Sequence, residues 1–462
     1  MRLLANRWFV PVFLCAVSVV LFLLWLPGLR FPITSDTTVY ALLAESMWKH
    51  GTYVYQGVPY AKHLPLHPIL SYPFVWALGY HAGMKLSSLL AGIGTLWVSF
   101  FLLRRSFSVP VAVGAVSALV FHHGFVLMTM LGSADLLFVL LFLASLLAFL
   151  RAERDARFYL LCGGLAGLAS LTRYNALALF PLFLVFVFWK RRKHLRSRLL
   201  WSGLVLGAVL FGLWLLRNAL VFGSLLHSDY GGEFSAMVPS PFRELLRSVV
   251  YYLSPLHNIL PVLLLLACWG LLREGKRQSF LLLALLAAWA LSLFWWVKGM
   301  RFMMAGYPIL LGFAFAGVFD LWKRFPRSRR ALILTGIATA LFLHVPALCL
   351  YTYGACNAWF DRTIDHIPAD LGLSSEGLYG IALAKEYINA HAPQGGAVLV
   401  RSQNFPVWKE GVFRPDLRVI GKIGEACPSL EIVQSAPGMN RVVFATHAAP
   451  LTLVLEHLCP PR

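Results

Sequence analysis

The chain has 462 residues, of which 59% are hydrophobic and only 13% are charged, and its mean hydropathy is +0.71. This composition excludes an ordinary soluble globular protein, because apolar runs of membrane-spanning length recur along the chain. The net charge of +20 does not indicate nucleic-acid binding, since residues 1–350 hold 31 Lys and Arg against 10 Asp and Glu, whereas residues 351–462 hold 9 against 10. The excess lies in short basic loops of the kind that set membrane topology.

Eleven apolar segments predict a polytopic α-helical membrane protein. Arg2 and Arg7 favour a cytoplasmic N-terminus and an uncleaved first span, because no small-residue cleavage site follows them. Basic clusters end alternate spans, and the predicted cytoplasmic side holds 21 of the 31 basic residues in residues 1–350. The C-terminus is then extracytoplasmic. The predicted spans are Trp8–Leu26, Leu86–Leu103, Val109–Met130, Leu136–Leu150, Phe158–Leu171, Ala176–Trp189, Leu199–Leu216, Val249–Leu272, Ser279–Val297, Phe302–Trp322 and Ala331–Leu350.

Residues 29–85 predict a large first loop outside the membrane. Asp36 follows the first span, where it also suits the N-cap of a helix over Thr37–His50. Leu64–Tyr80 is apolar but broken by three prolines, so it predicts an interfacial helix and not a span. Polar groups held among aromatic residues at a bilayer surface are costly unless they bind something. In this loop the candidates are Asp36, Glu45, Lys62, His63 and His67.

Residues 351–462 are more polar and predict a small extracytoplasmic α/β domain. Leu378–Ala392 has a helical pattern, and two β-branched runs, Ala397–Arg401 and Arg441–Ala445, are bounded by turn residues. Pro450–Leu458 is interpreted as a closing helix. A disulfide in this domain stays an open question because three cysteines leave one unpaired. They are Cys356, Cys427 and Cys459.

Charged residues on the predicted outer face are the candidates for chemistry. Asp36 and Asp135 lie at the outer ends of different spans, where two carboxylates could supply a general base and a charge or cation site. Asp135 equally suits a helix start. Three arginines end spans on the outer face, which the positive-inside rule disfavours, and their guanidinium groups suit a phosphate, with snorkelling toward lipid as the alternative. They are Arg173, Arg217 and Arg301.

Histidines on the same side are candidate ligands for a divalent cation. They are His63, His67 and His227, with Asp229 and Glu233 nearby in the sequence. Their spacing matches no fixed metal motif, so an ordinary structural histidine is the alternative for each of them.

Several short motifs follow one another along residues 1–330. In order, they are YALLAESM, GTY, GVPYAKHLPLHP, MKLSSLLAG, GLAGLASLTRYNALALFPL, LRNALVFGSLLHSDY and MRFMMAGYPILL. With an Asp just after the first span, this order resembles the GT-C superfamily of integral-membrane glycosyltransferases. More narrowly, it resembles the bacterial branch that contains lipid A aminoarabinose transferases, protein O-mannosyltransferases and rhizobial core-sugar transferases.

The resemblance implies an inverting enzyme of the bacterial inner membrane that takes a sugar from a polyprenyl-phosphate donor. The acceptor would be a lipid, a glycan or a protein at the outer face. Asp36 corresponds to the general base, Asp135 to a second acid, and Lys62 and Arg173 to donor-binding residues. Ala61 departs from the aminoarabinose branch, which places a Glu near that lysine toward a metal, so a metal site in that form is in doubt. The remaining substrate-binding candidates are Tyr60, Glu45, Arg217 and Arg301.

No nucleotide cofactor is expected, because the chain has neither a P-loop nor a dinucleotide fingerprint. The alternative function is a lipid-linked sugar flippase or transporter without transferase chemistry. That function predicts internal repeats and charges in the middle of spans. The sequence shows no obvious repeat and few such charges, with Asp320 close to a cytoplasmic end.

Overall fold

The structure is a computed structural model and is mostly helical. It describes residues 8–30, 35–55, 58–228, 230, 240–253, 260–290, 292–295, 299–324, 331, 387–400, 416–420, 430–433, 441–445 and 453–456. The helices are α1 (Phe9–Trp25), α2 (Ser35–His50), α3 (Leu66–Ser106), α4 (Val109–Val120), α5 (His123–Leu131), α6 (Asp135–Arg151), α7 (Phe158–Ser170), α8 (Leu179–Lys190), α9 (Arg198–Phe222), α10 (Pro241–Leu253), α11 (Leu260–Glu274), α12 (Ser279–Ala290), α13 (Met300–Met303) and α14 (Tyr307–Arg324).

Many of these helices have the composition of membrane-spanning segments. Within the described ranges, α3 and α9 are long and apolar enough to cross a membrane, and the pair α4–α5, bent by 57°, would make a third span. Shorter apolar helices include α1 and α7. Eleven spans and the inside–outside assignment stay predictions, and Ala331–Leu350 lies outside the described residues except for its first residue.

Helix α3 contains a sharp kink at Gly79, which divides it into two separate lengths of helix. Gly79 has φ 78° and ψ 170°, a conformation that residues with a Cβ rarely adopt. A Cβ on Gly83 would lie 2.5 Å from the backbone of Phe74, so the chain turns back closely on itself here. This geometry agrees with the predicted separation of Leu64–Tyr80 from the following span.

Close glycine contacts join α7 and α9. A Cβ on Gly167 would lie 2.7 Å from the carbonyl oxygen of Gly207, and Gly163 approaches Gly203 in the same way. Small residues spaced four apart on both helices allow backbones to approach, which is how helices pack in a lipid environment that offers little hydrophobic driving force. This packing fixes the turn after α7, which carries Arg173.

The predicted span Val249–Leu272 falls on two helices in the structure. Residues 249–253 are the end of α10, which begins at Pro241, and α11 begins at Leu260. Residues 254–259 lie outside the described residues. Phe302–Trp322 is likewise divided between the end of the short helix α13 and α14, which begins at Tyr307.

In the described residues, seven short strands form a hairpin and a five-stranded sheet. Strands β1 (Val54–Tyr55) and β2 (Val58–Pro59) pair antiparallel. The sheet has the order β4-β3-β5-β7-β6, with β3 parallel to β4 and β5, and β7 antiparallel to β5 and β6. Its strands are β3 (Ala397–Val400), β4 (Arg418–Ile420), β5 (Leu430–Val433), β6 (Arg441–Ala445) and β7 (Leu453–Glu456).

The strand predicted at Arg441–Ala445 is confirmed, and the one at Ala397–Arg401 is confirmed over Ala397–Val400, whereas the helix predicted over Pro450–Leu458 is wrong at Leu453–Glu456. Leu453–Glu456 is β7, which pairs with β5 from Leu430↔Glu456 to Val433↔Leu453. Pairing with β5 on one edge and β6 on the other outweighs local helix propensity. The domain boundary at residue 351 stays a prediction, and Cys356, Cys427 and Cys459 lie outside the described residues.

Candidate active site

The site is built where α2, the segment after β2 and two helix-connecting turns meet. Thr37 Oγ1, in the first turn of α2, donates to the Leu131 carbonyl at 2.7 Å, next to the α5–α6 turn. The Leu66 N–H donates to the Leu171 carbonyl at 3.0 Å, which joins the start of α3 to the end of α7. These bonds hold segments that carry candidate residues but are far apart in the sequence.

A cavity of about 460 Å³ lies between these segments. Its wall combines cationic groups with a larger set of aromatic side chains, an arrangement that suits an anionic ligand with apolar parts. Four of the predicted candidates line it, namely Lys62, His63, Arg173 and His227. The aromatic wall includes Tyr40, Tyr174, Tyr230, Trp295 and Phe302.

Asp36 lies beside this cavity and faces two basic groups. Its Oδ1 is 3.7 Å from Nε2 of His63, and its Oδ2 is 3.4 Å from Nη1 of Arg301. Burial raises the pKa of Asp36, but the contact with His63 and the charges of Arg301 and Arg173 outweigh it and hold that pKa well below its usual range. Because 43% of the side chain is exposed, the cations and not desolvation decide the ionisation state. Asp36 is therefore a carboxylate at neutral pH.

Asp135 lies behind Arg173 and is almost fully buried. It forms an ion pair with Arg173 Nη1, and Ser133 Oγ donates to its other oxygen at 2.7 Å. The sequence left open whether Asp135 is a catalytic acid or only a helix-start residue. In the structure it is the first residue of α6. In this geometry its carboxylate orients the Arg173 guanidinium toward the cavity.

Arg173 and Arg301 share one aromatic ring. The guanidinium carbons of Arg173 and Arg301 lie 5.3 Å and 4.9 Å from the ring centre of Phe302. The ring provides an electron-rich face for both cations. Two guanidinium groups are thereby concentrated near Asp36, which is the charge pattern that an anionic oxygen would complete.

Tyr60 orients His63 toward Asp36. The Tyr60 hydroxyl and His63 Nδ1 share a hydrogen bond at 2.7 Å, which leaves the other ring nitrogen, Nε2, facing Asp36. Tyr40, which sequence reasoning did not select, packs its ring edge-on against His63 with 4.6 Å between centres. Lys62 Nζ lies 5.3 Å from the centre of the Tyr230 ring.

Four predicted substrate-binding residues do not line the cavity: Tyr60 and Arg301, which contact His63 and Asp36, and also Arg217 and Glu45. Arg217 donates to the carbonyl oxygens of Tyr53 at 3.1 Å and Tyr60 at 3.0 Å, which fixes the β1–β2 hairpin. Glu45 accepts hydrogen bonds from Tyr80 and Lys49 and so links α2 to α3. Contact of these residues with a substrate stays a prediction.

Comparison with known proteins addresses the fold. Residues 80–216 match the family model described as dolichyl-phosphate-mannose-protein mannosyltransferase. Comparison with curated protein sequences gives no match. The crystal structure of ArnT from Cupriavidus metallidurans bound to undecaprenyl phosphate is similar, with a TM-score of 0.63 and 17% identity over 91% of this chain and 87% of that one. The crystal structure of the Archaeoglobus fulgidus oligosaccharyltransferase in complex with Zn and sulfate is also similar. Its TM-score is 0.57 and its sequence identity is 14%, over 88% of this chain and 62% of that one.

The chain has a GT-C glycosyltransferase fold. At these identities the similarity establishes the fold, and the reaction has to be derived from the residues of the site. The segment that matches the family model contains Asp135 and Arg173, whereas Asp36 precedes it and Arg301 follows it. The site thus draws on parts of the GT-C fold beyond the matched segment.

The candidate metal ligands make contacts that do not suit metal binding. Both ring nitrogens of His67 are engaged, since Nε2 donates to the Gly132 carbonyl at 3.1 Å and Nδ1 lies 3.3 Å from Ser71 Oγ. His227 stacks on Phe222 with 4.0 Å between ring centres. In the described part of the chain, no three His, Cys, Asp or Glu side chains lie close enough to hold a metal ion.

The surroundings of Asp36 also disfavour a divalent cation. The Arg301 guanidinium contacts one of its oxygens, so a further positive charge there would be repelled. The described residues therefore do not fit a metal ion. Asp229 and Glu233, the other sequence candidates, lie outside the described residues.

Proposed function

We propose that this protein transfers a sugar from a polyprenyl-phosphate donor to an acceptor hydroxyl, with inversion at the anomeric carbon. The observation that carries the proposal is a carboxylate, Asp36, beside two guanidinium groups at a cavity with an aromatic wall. The binding of undecaprenyl phosphate by ArnT, named in the structure similar to this chain, supports the donor class. We place the reaction at the outer face of a bacterial inner membrane, where the basic-loop asymmetry locates these residues.

In the proposed reaction, the acceptor oxygen attacks the anomeric carbon from the side opposite the phosphate. The bond between that carbon and the phosphate oxygen breaks, and the polyprenyl phosphate leaves with the electron pair. Asp36 takes the proton of the attacking hydroxyl. Arg173, Arg301 and Lys62 stabilise the charge that develops on the leaving phosphate.

The depressed pKa of Asp36 is compatible with this role once the donor is bound. A phosphate beside Arg173 and Arg301 adds negative charge close to Asp36 and so raises its pKa toward the range that suits a general base. The acceptor hydroxyl also becomes more acidic as its oxygen bonds to carbon. Binding of the charged donor therefore makes Asp36 a stronger base.

Substitution of Asp36 by Asn tests the proposal directly. Asp36→Asn keeps the shape of a side chain in the first turn of α2 and removes only a half-exposed ion pair, so the free energy of unfolding should change by about 1 kcal/mol or less. General-base assistance is worth roughly a hundred- to ten-thousand-fold in rate. We therefore expect normal membrane insertion and retained donor binding with nearly all transfer lost.

The assay uses purified protein in lipid with a radiolabelled polyprenyl-phosphate sugar. Asp155→Asn is the matched control, because it makes the same change of charge in the exposed α6–α7 connection, where Asp155 accepts the Arg157 N–H at 3.0 Å. Transfer by Asp36→Asn within a few-fold of wild type would make Asp36 a structural residue only. Movement of the lipid across the membrane without label transfer by the wild type would favour a flippase.

A further inference from the structure

Helix α10 buries one stripe of polar side chains and exposes an apolar stripe together with Arg243 and Arg247. The buried face carries Glu244, Ser248 and Tyr252, each at most 4% exposed. The opposite face carries Phe242, Leu246 and Val250, each more than half exposed. Both sets repeat every four residues, so they form stripes on opposite sides of the helix. The outward stripe suits hydrocarbon, and the buried polar stripe requires partners inside the protein.

The partners of the buried stripe lie in the segment that carries Arg301. The Tyr252 hydroxyl donates to the Gly299 carbonyl at 3.2 Å and accepts from the Gly299 N–H at 3.3 Å. Ser248 Oγ, one turn earlier, donates to the Leu293 carbonyl. A single tyrosine therefore holds both backbone polar groups of the residue that precedes α13.

A second set of hydrogen bonds holds the backbone on the other side of Arg301, at Phe302. Ser292 Oγ donates to the Phe302 carbonyl at 2.9 Å, and Asn175 Nδ2 donates to Ser292 Oγ at 3.4 Å. Phe302 is the ring that contacts both guanidinium groups. The position of Arg301 is thus determined by bonds to the backbone on both sides of it.

We propose that Tyr252 and Ser248 are positioning residues, which act through the backbone of Gly299 and Leu293 to hold Arg301 against Asp36. The inference rests on the proposed function for its catalytic consequence, but its geometric part stands on the contacts alone. Neither residue lines the cavity. Their effect on transfer would pass through Arg301, whose guanidinium lies 3.4 Å from the carboxylate.

The variant Tyr252→Phe removes both hydrogen bonds to Gly299 and keeps the ring. Displacement of a catalytic group by about 1 Å can cost on the order of a hundred-fold in rate, so we expect a ten- to hundred-fold fall in kcat, with acceptor KM little changed. Tyr251→Phe is the matched control, since Tyr251 is the adjacent tyrosine of the same helix, and it should retain wild-type kcat.

A double-mutant cycle separates positioning from general destabilisation. If Tyr252 acts through Arg301, Tyr252→Phe should cost nothing further in an Arg301→Gln background. Full multiplication of the two losses would overturn the proposal. Hydrogen exchange of the Gly299 amide gives a readout without activity, and we expect faster exchange in Tyr252→Phe than in Tyr251→Phe.

The outcomes also distinguish this inference from the proposed function. Unchanged Gly299 exchange and unchanged kcat in Tyr252→Phe would overturn the positioning role while leaving transfer by the wild type intact. Full activity of Asp36→Asn would overturn the mechanism, yet faster Gly299 exchange would still support the contact. If Tyr252→Phe fails to fold, Ser248→Ala replaces it, and a kcat equal to wild type in that variant would count against the proposal.

Discussion

Removal of the Arg301 guanidinium separates its structural contribution from its catalytic one. At 3.4 Å, its attraction for Asp36 would be about 5 kcal/mol at an effective dielectric constant of about 20. However, 43% of the Asp36 side chain and 25% of the Arg301 side chain are exposed, and solvent screening reduces such a pair to about 1 kcal/mol or less. Arg301→Gln should therefore lower stability only slightly.

The same substitution should have a much larger effect on the reaction. A hydrogen bond to a charged group is worth about 1.5–3 kcal/mol, so loss of one cation from the leaving phosphate should lower kcat roughly ten- to a hundred-fold. Burial of Asp36 would then be opposed by fewer cations, which raises the pKa of Asp36. Because Asp36 must be ionised to act, the acid side of the pH–rate profile should move to higher pH.

Measurement of kcat from pH 4 to 9 and of thermal unfolding in lipid nanodiscs tests both expectations. Arg243→Gln is the control, because Arg243 is an exposed arginine of α10. A kcat for Arg301→Gln equal to that of the control, with an unshifted acid limb, would refute the reasoning. A large fall in unfolding temperature would instead show that Arg301 is mainly structural.

Two further predictions concern the donor and the topology. Lys62→Ala and Arg173→Ala should weaken binding of the lipid-phosphate donor in a filter or calorimetric assay, and unchanged affinity in both variants would remove them from the donor site. Arg173→Ala should also lower stability, because it leaves the buried Asp135 carboxylate unpaired, whereas Lys62→Ala should not. A reporter fused after Arg330 should be cytoplasmic and one fused after Arg462 extracytoplasmic, so both reporters on the same side would contradict the eleven-span topology.

The amino-acid sequence by itself determined the helical membrane character and many element boundaries. The predicted spans Trp8–Leu26, Leu136–Leu150 and Phe158–Leu171 lie within a residue or two of α1, α6 and α7. Each is a continuous apolar run with polar or basic ends, so the information is local and can be read directly. The order of short motifs also indicated the GT-C superfamily before any coordinates.

Sequence patterns failed where contacts between distant residues decide the structure. Leu453–Glu456 is a strand because β5 and β6 pair with its two edges, and those partners are not visible in a nine-residue window. The sequence analysis also did not predict that α10 buries a stripe of polar side chains, for a similar reason. Its polar stripe is explained only by the carbonyl of Leu293 and the backbone of Gly299, which follow it by more than forty residues.

The candidate site shows the same difference between what residue types predict and what contacts between distant residues decide. The sequence singled out Asp36, Asp135, Arg173 and Arg301 from residue type and predicted side of the membrane, but it gave no pairing among them. Only the tertiary structure joins Asp36 to Arg301 across 265 residues and assigns Asp135 to Arg173. Hydrophobic patterns determine which segments are helices, whereas the packing of those helices determines which charges meet, and charge proximity is what makes Asp36 an ionised carboxylate beside two guanidinium groups.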